Sequence, residues 1–109
     1  MSRFFPTPAE CGAHTIFGTV LARTYAGEHV QLSLVDIPAN GVVDWHSHAN
    51  EQIGMVTRGV LTFHIGDETR VLREGDFYLI PGGVRHRVEA GAEPAQALDV
   101  FYPIRDEYR

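Results

Sequence analysis

The chain has 109 residues, 44% hydrophobic and 21% charged, which suits one globular domain with a single core and excludes a disordered chain. Its 14 acidic residues outnumber nine arginines, no lysine is present and the net charge is -5, so no basic stripe is available for a phosphate backbone and nucleic-acid binding is not expected. One cysteine, Cys11, leaves no internal disulfide framework and no multi-cysteine zinc site; it reads as a small buried or half-buried side chain.

In chain order, residues 1–14 carry Pro6, Pro8 and Gly12 and read as an extended arm whose Phe4 and Phe5 need burial. Prolines interrupt this end before an apolar leader can form, and no run approaches the ~18 apolar residues of a membrane span, so a cytoplasmic protein without membrane contact is expected. Residues 15–24 are β-rich, and 28–37 alternate, with Val30, Leu32 and Leu34 as the apolar face against Gln31 and Ser33. Tyr25-Ala-Gly-Glu is the expected hairpin connection between these two strands, and Pro38-Ala-Asn-Gly41 is a stronger turn signal. Further strands are expected near 43–48, 52–58, 60–65, 68–72, 77–80, 86–90 and 96–102, punctuated by Gly66-Asp67 and Glu74-Gly75-Asp76. No stretch has helical periodicity over a dozen residues. Many short, evenly spaced strands imply an all-β antiparallel sandwich or barrel, covering 15–102 and followed by a tail over 103–109 that is either a helical turn or irregular.

The chemistry-bearing stretch is Asp44 to Gln52, Asp-Trp-His-Ser-His-Ala-Asn-Glu-Gln. On a strand, His46 and His48 share a face, and Gln52 follows four residues on, a pattern that suits half of a divalent-metal site. Asp44 shares that face by parity and reads as a structural or supporting residue. Glu51 could replace Gln52 as ligand after a one-residue register slip. His14, His29 and His64 read as surface or structural histidines. A third candidate ligand, His86, ends the block Gly75-Asp-Phe-Tyr-Leu-Ile-Pro81-Gly-Gly83-Val-Arg-His86.

That block has the spacing of the second motif of the cupin family, and Gly41, His46-Ser-His48, Gln52 and Gly59 resemble its first motif. Two departures stand out: four residues rather than five separate Gly41 from His46, and Gln52 stands where many cupins place Glu. The resemblance implies a cupin double-stranded β-helix, or jelly-roll barrel, with one divalent ion (Zn, Ni, Fe, Co or Mn) held by His46, His48, Gln52 and His86. Three neutral imidazoles and a neutral amide leave the ion's charge uncompensated, so such a site favours an anionic or enolate-forming oxygen ligand.

A narrower resemblance joins His-Ser-His-Ala-Asn-Glu-Gln-Ile-Gly, Ile-Pro-Gly-Gly-Val-x-His and the ending Asp99-Val-Phe101 to the KdgF family of pectin-degradation cupins. It implies conversion of 4,5-unsaturated monouronates from pectin or alginate breakdown into linear ketonised sugars. Asp99 and Arg105 map onto that family's catalytic positions, with Phe101 and Arg105 against a small anionic sugar. On spacing alone, Asp99 to Arg105 reads as an edge strand ending in a solvated charged tail. Two other functions suit the same spacing: an Fe(II)-dependent, dioxygenase-type cupin, and a non-catalytic metal- or sugar-binding cupin. Cupin resemblance also implies a homodimer sharing sheet edges or N-terminal strands, with the Phe4-Phe5 arm as a clasping segment.

Overall fold

The computed structural model describes residues 4–109. Ten strands follow a single 3-10 turn at Pro8–Glu10: β1 (Gly12–Ile16), β2 (Val20–Ala26), β3 (Gln31–Ile37), β4 (Val42–His46), β5 (Glu51–Arg58), β6 (Val60–Ile65), β7 (Glu68–Arg73), β8 (Phe77–Ile80), β9 (His86–Ala90) and β10 (Ala95–Tyr102). All pairings are antiparallel. A six-stranded sheet runs β1-β2-β3-β10-β5-β8, and a four-stranded sheet runs β4-β9-β6-β7. The expected all-β jelly roll is therefore present, and among the described residues no helix is long and apolar enough to cross a membrane.

Strand placement departs from the sequence expectation at a few points. The run 15–24 is two strands, because the chain turns at Phe17 and Gly18, which have φ of 49° and 84°. The first strand begins at Gly12, within the segment read as an arm. The tail ends in a 3-10 turn at Asp106–Tyr108. Asp99 and Phe101 lie not on an edge but on the central strand β10, flanked by β3 and β5.

The largest correction concerns β3. Its apolar residues were expected to face inward, yet Gln31 and Ser33 are buried while Leu32 is 46% exposed. The reason lies in how polarity is distributed along each inward face. On β10 the inward side chains run Ala95, Ala97, Asp99, Phe101, and on β3 they run Ile37, Val35, Ser33, Gln31. Register sets Ile37 opposite Ala95 and Ser33 opposite Asp99. Val20, Ala22 and Thr24 on β2, Val56, Gly54 and Gln52 on β5, and Ala90, Val88 and His86 on β9 repeat the change from apolar to polar. One end of the barrel is thus a dry core around Val20, Ile37, Val56 and Leu61, each at most 2% exposed. The other end collects the buried polar side chains of the described residues: Thr24, Gln31, Ser33, Gln52, His86 and Asp99. The hydrophobic end holds the strands in register, and that register aims the polar end.

A candidate metal centre at the polar end of the barrel

Local backbone irregularity brings the histidines together. Between Val43 and His46 the β4–β9 register shifts, a bulge that turns His46 inward opposite His86 and leaves Trp45 40% exposed. His48 lies beyond the end of β4, in the loop before β5. Strand parity therefore does not explain the convergence of His46 and His48; a bulge and a loop do. Asp44 does not share their pocket: its carboxylate is exposed and accepts a bond from the Arg87 guanidinium at 2.7 Å. Its backbone carbonyl supports the site, since His46 Nδ1 bonds it at 2.8 Å.

The other two rings are fixed in the same way. His48 Nδ1 bonds the Asn50 carbonyl at 3.1 Å and His86 Nδ1 the Val84 carbonyl at 2.9 Å. A carbonyl only accepts, so each Nδ1 carries the hydrogen and each Nε2 keeps a free lone pair. The ligand nitrogens of His46, His48 and His86 lie within 4.8 Å of one another. Burial, the leading cause, holds all three imidazoles below their ordinary pKa, and takes His86 down to about 4, so they are neutral at pH 7.

Two observations test whether a metal fits. His86 Nε2 is buried and has no hydrogen-bond partner among the described residues. His48 Nε2 stands 3.1 Å from Gln52 Oε1. With the hydrogen on Nδ1, these are two lone-pair atoms facing each other, an arrangement stabilised when a cation shares them. Three neutral imidazoles and an amide oxygen are an appropriate donor set for a divalent first-row ion. Of the two candidate residues, Gln52 is 7% exposed and faces inward, whereas Glu51 faces solvent.

Next to the imidazoles lies a cavity of about 90 Å³ whose lining includes Phe17, Gln52, Asp99, Phe101 and Arg105. Asp99 is 6% exposed and receives the Tyr78 hydroxyl at 2.5 Å. The Gln52 amide also hydrogen-bonds this carboxylate. Burial raises the Asp99 pKa to about 6, against the opposing pull of Tyr78, Gln52 and the Arg105 charge; burial, then Asp99 itself, pushes the Tyr78 hydroxyl upward. Gln52 thus turns its oxygen toward the histidines, where only a cation would satisfy it, and its NH2 toward Asp99.

Arg105 reaches the cavity from the tail rather than from a strand. Its guanidinium stacks 5.4 Å from the Phe101 ring and 4.6 Å from the Tyr108 ring, and bonds Glu107 at 3.1 Å. The tail is fastened by Gln31, 1% exposed, whose Oε1 accepts the Arg105 N–H at 3.0 Å while Nε2 donates to the carbonyls of Tyr108 at 3.0 Å and Arg105 at 3.3 Å. Thr24 donates to the Tyr108 carbonyl, and Asn50 to that of Pro103 at 2.6 Å.

The structure thus gathers His46, His48, Gln52, His86, Asp99, Phe101 and Arg105 around one cavity. It leaves out His29, which lies beside Glu28, and His64, which bonds Thr69 and Glu89. His14 packs on Tyr108 and bonds the Arg109 carbonyl. Sequence reasoning missed Gln31, Tyr78 and Gly54. A Cβ at Gly54 would overlap both the Tyr78 hydroxyl and the Asp99 carboxylate, so this glycine makes room for their hydrogen bond. A glycine inside a strand was the available signal.

Residues 33–101 match the family model for the cupin domain, and the chain belongs to the cupin family. Among solved structures, KdgF from Halomonas sp. is similar over 94% of this chain and 96% of its own, with TM-score 0.83 and 24% identity. An RmlC-like cupin from Shewanella frigidimarina covers 99% of this chain and 97% of its own at TM-score 0.88 and 18% identity. A predicted oxalate decarboxylase from Thermotoga maritima covers 92% and 99% at TM-score 0.77 and 17% identity. Comparison with proteins of curated function finds no match.

Proposed function

We propose that this cupin is a metal-dependent enzyme that opens and tautomerises 4,5-unsaturated monouronates to linear ketonised sugars. The observation that carries the reading is the convergence, in one small cavity, of three neutral imidazoles with a buried carboxyl of raised pKa and an arginine held on an aromatic face. The likeness to KdgF supports the fold, and the residues supply the chemistry. His46, His48, Gln52 and His86 would hold a divalent ion, which when bound supplies Lewis acidity toward a sugar oxygen.

The remaining roles belong to the chain. Opening the ring and ketonising the enol is an isomerisation: a proton leaves a hydroxyl, a proton is added to carbon, and no electrons are gained or lost. Asp99, with a pKa of about 6, is poised to carry that proton near neutral pH. Arg105 offers a planar fork for the uronate carboxylate, and its stacking on Phe101 and Tyr108 fixes the direction of that fork. Phe101 forms a wall for the sugar ring, and burial around the cavity limits competing water.

The test is incubation of metal-loaded protein with unsaturated galacturonate, following the ultraviolet absorbance of the conjugated double bond beside a His48→Ala control. Loss of absorbance with wild type alone, under anaerobic as well as aerobic conditions, is expected. Equal rates for the two proteins would overturn the assignment, and turnover that requires oxygen would move it to oxygenase chemistry.

A further inference from the structure

The cavity wall contains a residue that faces solvent and whose backbone is strained. Among the described residues lining the cavity, Phe17 alone is exposed, at 44%. It stands in the turn between β1 and β2, where Ile16 pairs with Val20 and leaves Phe17, Gly18 and Thr19 as the connection. Phe17 and Gly18 both take positive φ, 49° and 84°. Glycine or asparagine enters that region readily, whereas a bulky side chain is crowded there. The turn itself gives no reason for phenylalanine, and a ring this exposed adds little to the core. What the ring does contact is His46, with centroids 5.2 Å apart. Backbone strain held beside a site is a sign of function. Phe4 and Phe5, expected from sequence to need burial, are 71% and 80% exposed and lie outside this cavity.

We infer that Phe17 is the gate of the cavity and the residue that limits its occupant to a single sugar-acid ring. The sugar rests on the uronate reading above, and the gate rests on geometry alone. The enclosed cavity of about 90 Å³ holds roughly three waters at about 30 Å³ each, less than a six-carbon sugar acid needs. The sugar ring must therefore reach the rim, where Phe17 stands. Ring contacts along that rim form a series. Phe17 packs on His46, His46 lies 5.7 Å from His48, His48 lies 5.6 Å from Phe101, and the Arg105 guanidinium lies 5.4 Å over Phe101. Phe17 and Arg105 are the two ends of the series.

Those ends match the two ends of a uronate. With its carboxylate on Arg105 and its ring oxygen at the histidines, the sugar has its anomeric carbon on the far side of that oxygen, toward Phe17. A free anomeric hydroxyl fits beside the phenyl ring, whereas a second sugar joined there collides with it. The selection has a chemical use. In ring opening the anomeric hydroxyl gives up its proton and becomes a carbonyl. The bond from its carbon to the ring oxygen breaks, and the electron pair stays on that oxygen as an enolate, which is then protonated on carbon. The unsaturated end of a longer chain has no free anomeric hydroxyl, so it can occupy the site without reacting. Phe17 keeps such chains out.

Phe17→Gly is the test variant, because glycine accepts a φ of 49° and the turn keeps its shape. Two readouts separate the gate from the sugar. In metal-free protein, diethyl pyrocarbonate acylates the lone-pair Nε2 of His46, and peptide mass spectrometry measures its rate against His29, whose side chain is 72% exposed. Phe17→Gly should raise the His46 rate at least tenfold, with the His29 rate and the far-ultraviolet spectrum unchanged. In metal-loaded protein, calorimetry compares galacturonate with its cyclohexyl glycoside, which carries a second ring on the anomeric oxygen. Wild type and Phe17→Tyr should prefer the free sugar at least tenfold, and Phe17→Gly should lose most of that preference. An unchanged His46 rate would overturn the gate, and equal binding of the two sugars by wild type would overturn the size limit. A faster His46 rate with neither sugar bound by any of these proteins would uphold the gate and overturn the uronate reading.

Discussion

Gln52 is the residue whose replacement discriminates most sharply among accounts of this site. Changing Gln52→Glu alters one group, NH2 to oxygen, and supplies the carboxylate many cupins carry. Here it would point at Asp99, a buried carboxyl that takes a hydrogen bond from the amide it replaces. Two carboxylates about 4 Å apart at an effective dielectric near 20 repel by about 4 kcal/mol, equivalent to about three pH units. One of the pair should therefore hold a proton at pH 7 in the metal-free variant. Metal binding should then release that proton, whereas wild type, with neutral histidines and one carboxylate, should release much less. Calorimetric titration with metal in buffers of different ionisation enthalpy counts the protons directly. Adding Asp99→Asn restores a donor opposite a carboxylate and should abolish the excess release, closing a double-mutant cycle. A Gln52→Glu protein that binds metal with the wild-type proton count would refute the claim that Asp99 orients the amide.

Asp99→Asn alone should slow uronate turnover by ~10²-fold to 10⁴-fold with one metal still bound, measured as kcat alongside metal content. Gln31→Leu removes the bracket around Arg105 and leaves buried backbone groups unsatisfied; a loss of about 1–3 kcal/mol in denaturant unfolding and a raised KM are expected, and an unchanged KM would detach the tail from substrate binding. In metal-free protein the imidazoles are held below their ordinary 6.5, so their stabilisation is full above that pH and is lost as pH falls toward the folded value of about 4 for His86. Asp99 is raised from 3.8 to about 6, so its stabilisation is full below 3.8 and is lost as pH rises through 6, an opposing contribution of about 3 kcal/mol. The melting temperature should accordingly fall between pH 7 and 5, and fall more steeply in Asp99→Asn; an identical slope in the two proteins would show that the carboxyl is not raised.

The barrel was legible because its strands are short and its turns carry glycine, as at Gly66 and Gly75, both with positive φ. The histidines were legible through motif spacing, although parity gave the wrong reason for His46 and His48: a bulge after Val43 and a loop after β4 do the placing. The face of β3 was not legible. Alternation shows that two faces differ but not which is buried, and burial was awarded to leucine when a polar cavity lay inside and an apolar surface outside. Gln31 and Tyr78 escaped for a related reason, since their partners Arg105 and Asp99 lie 74 and 21 residues away and only the folded register brings them together.

The central claim is that His46, His48, Gln52 and His86 form one metal site. Chelator-stripped protein titrated with Zn, Ni, Co, Mn or, without oxygen, Fe(II) under calorimetry, with bound ion counted by elemental analysis, tests it most directly. The account predicts one ion per chain, lost in His86→Ala and kept in His64→Ala, whose imidazole bonds Thr69 and Glu89 outside the cluster. Undiminished binding by His86→Ala, or none of these ions retained by wild type, would contradict it.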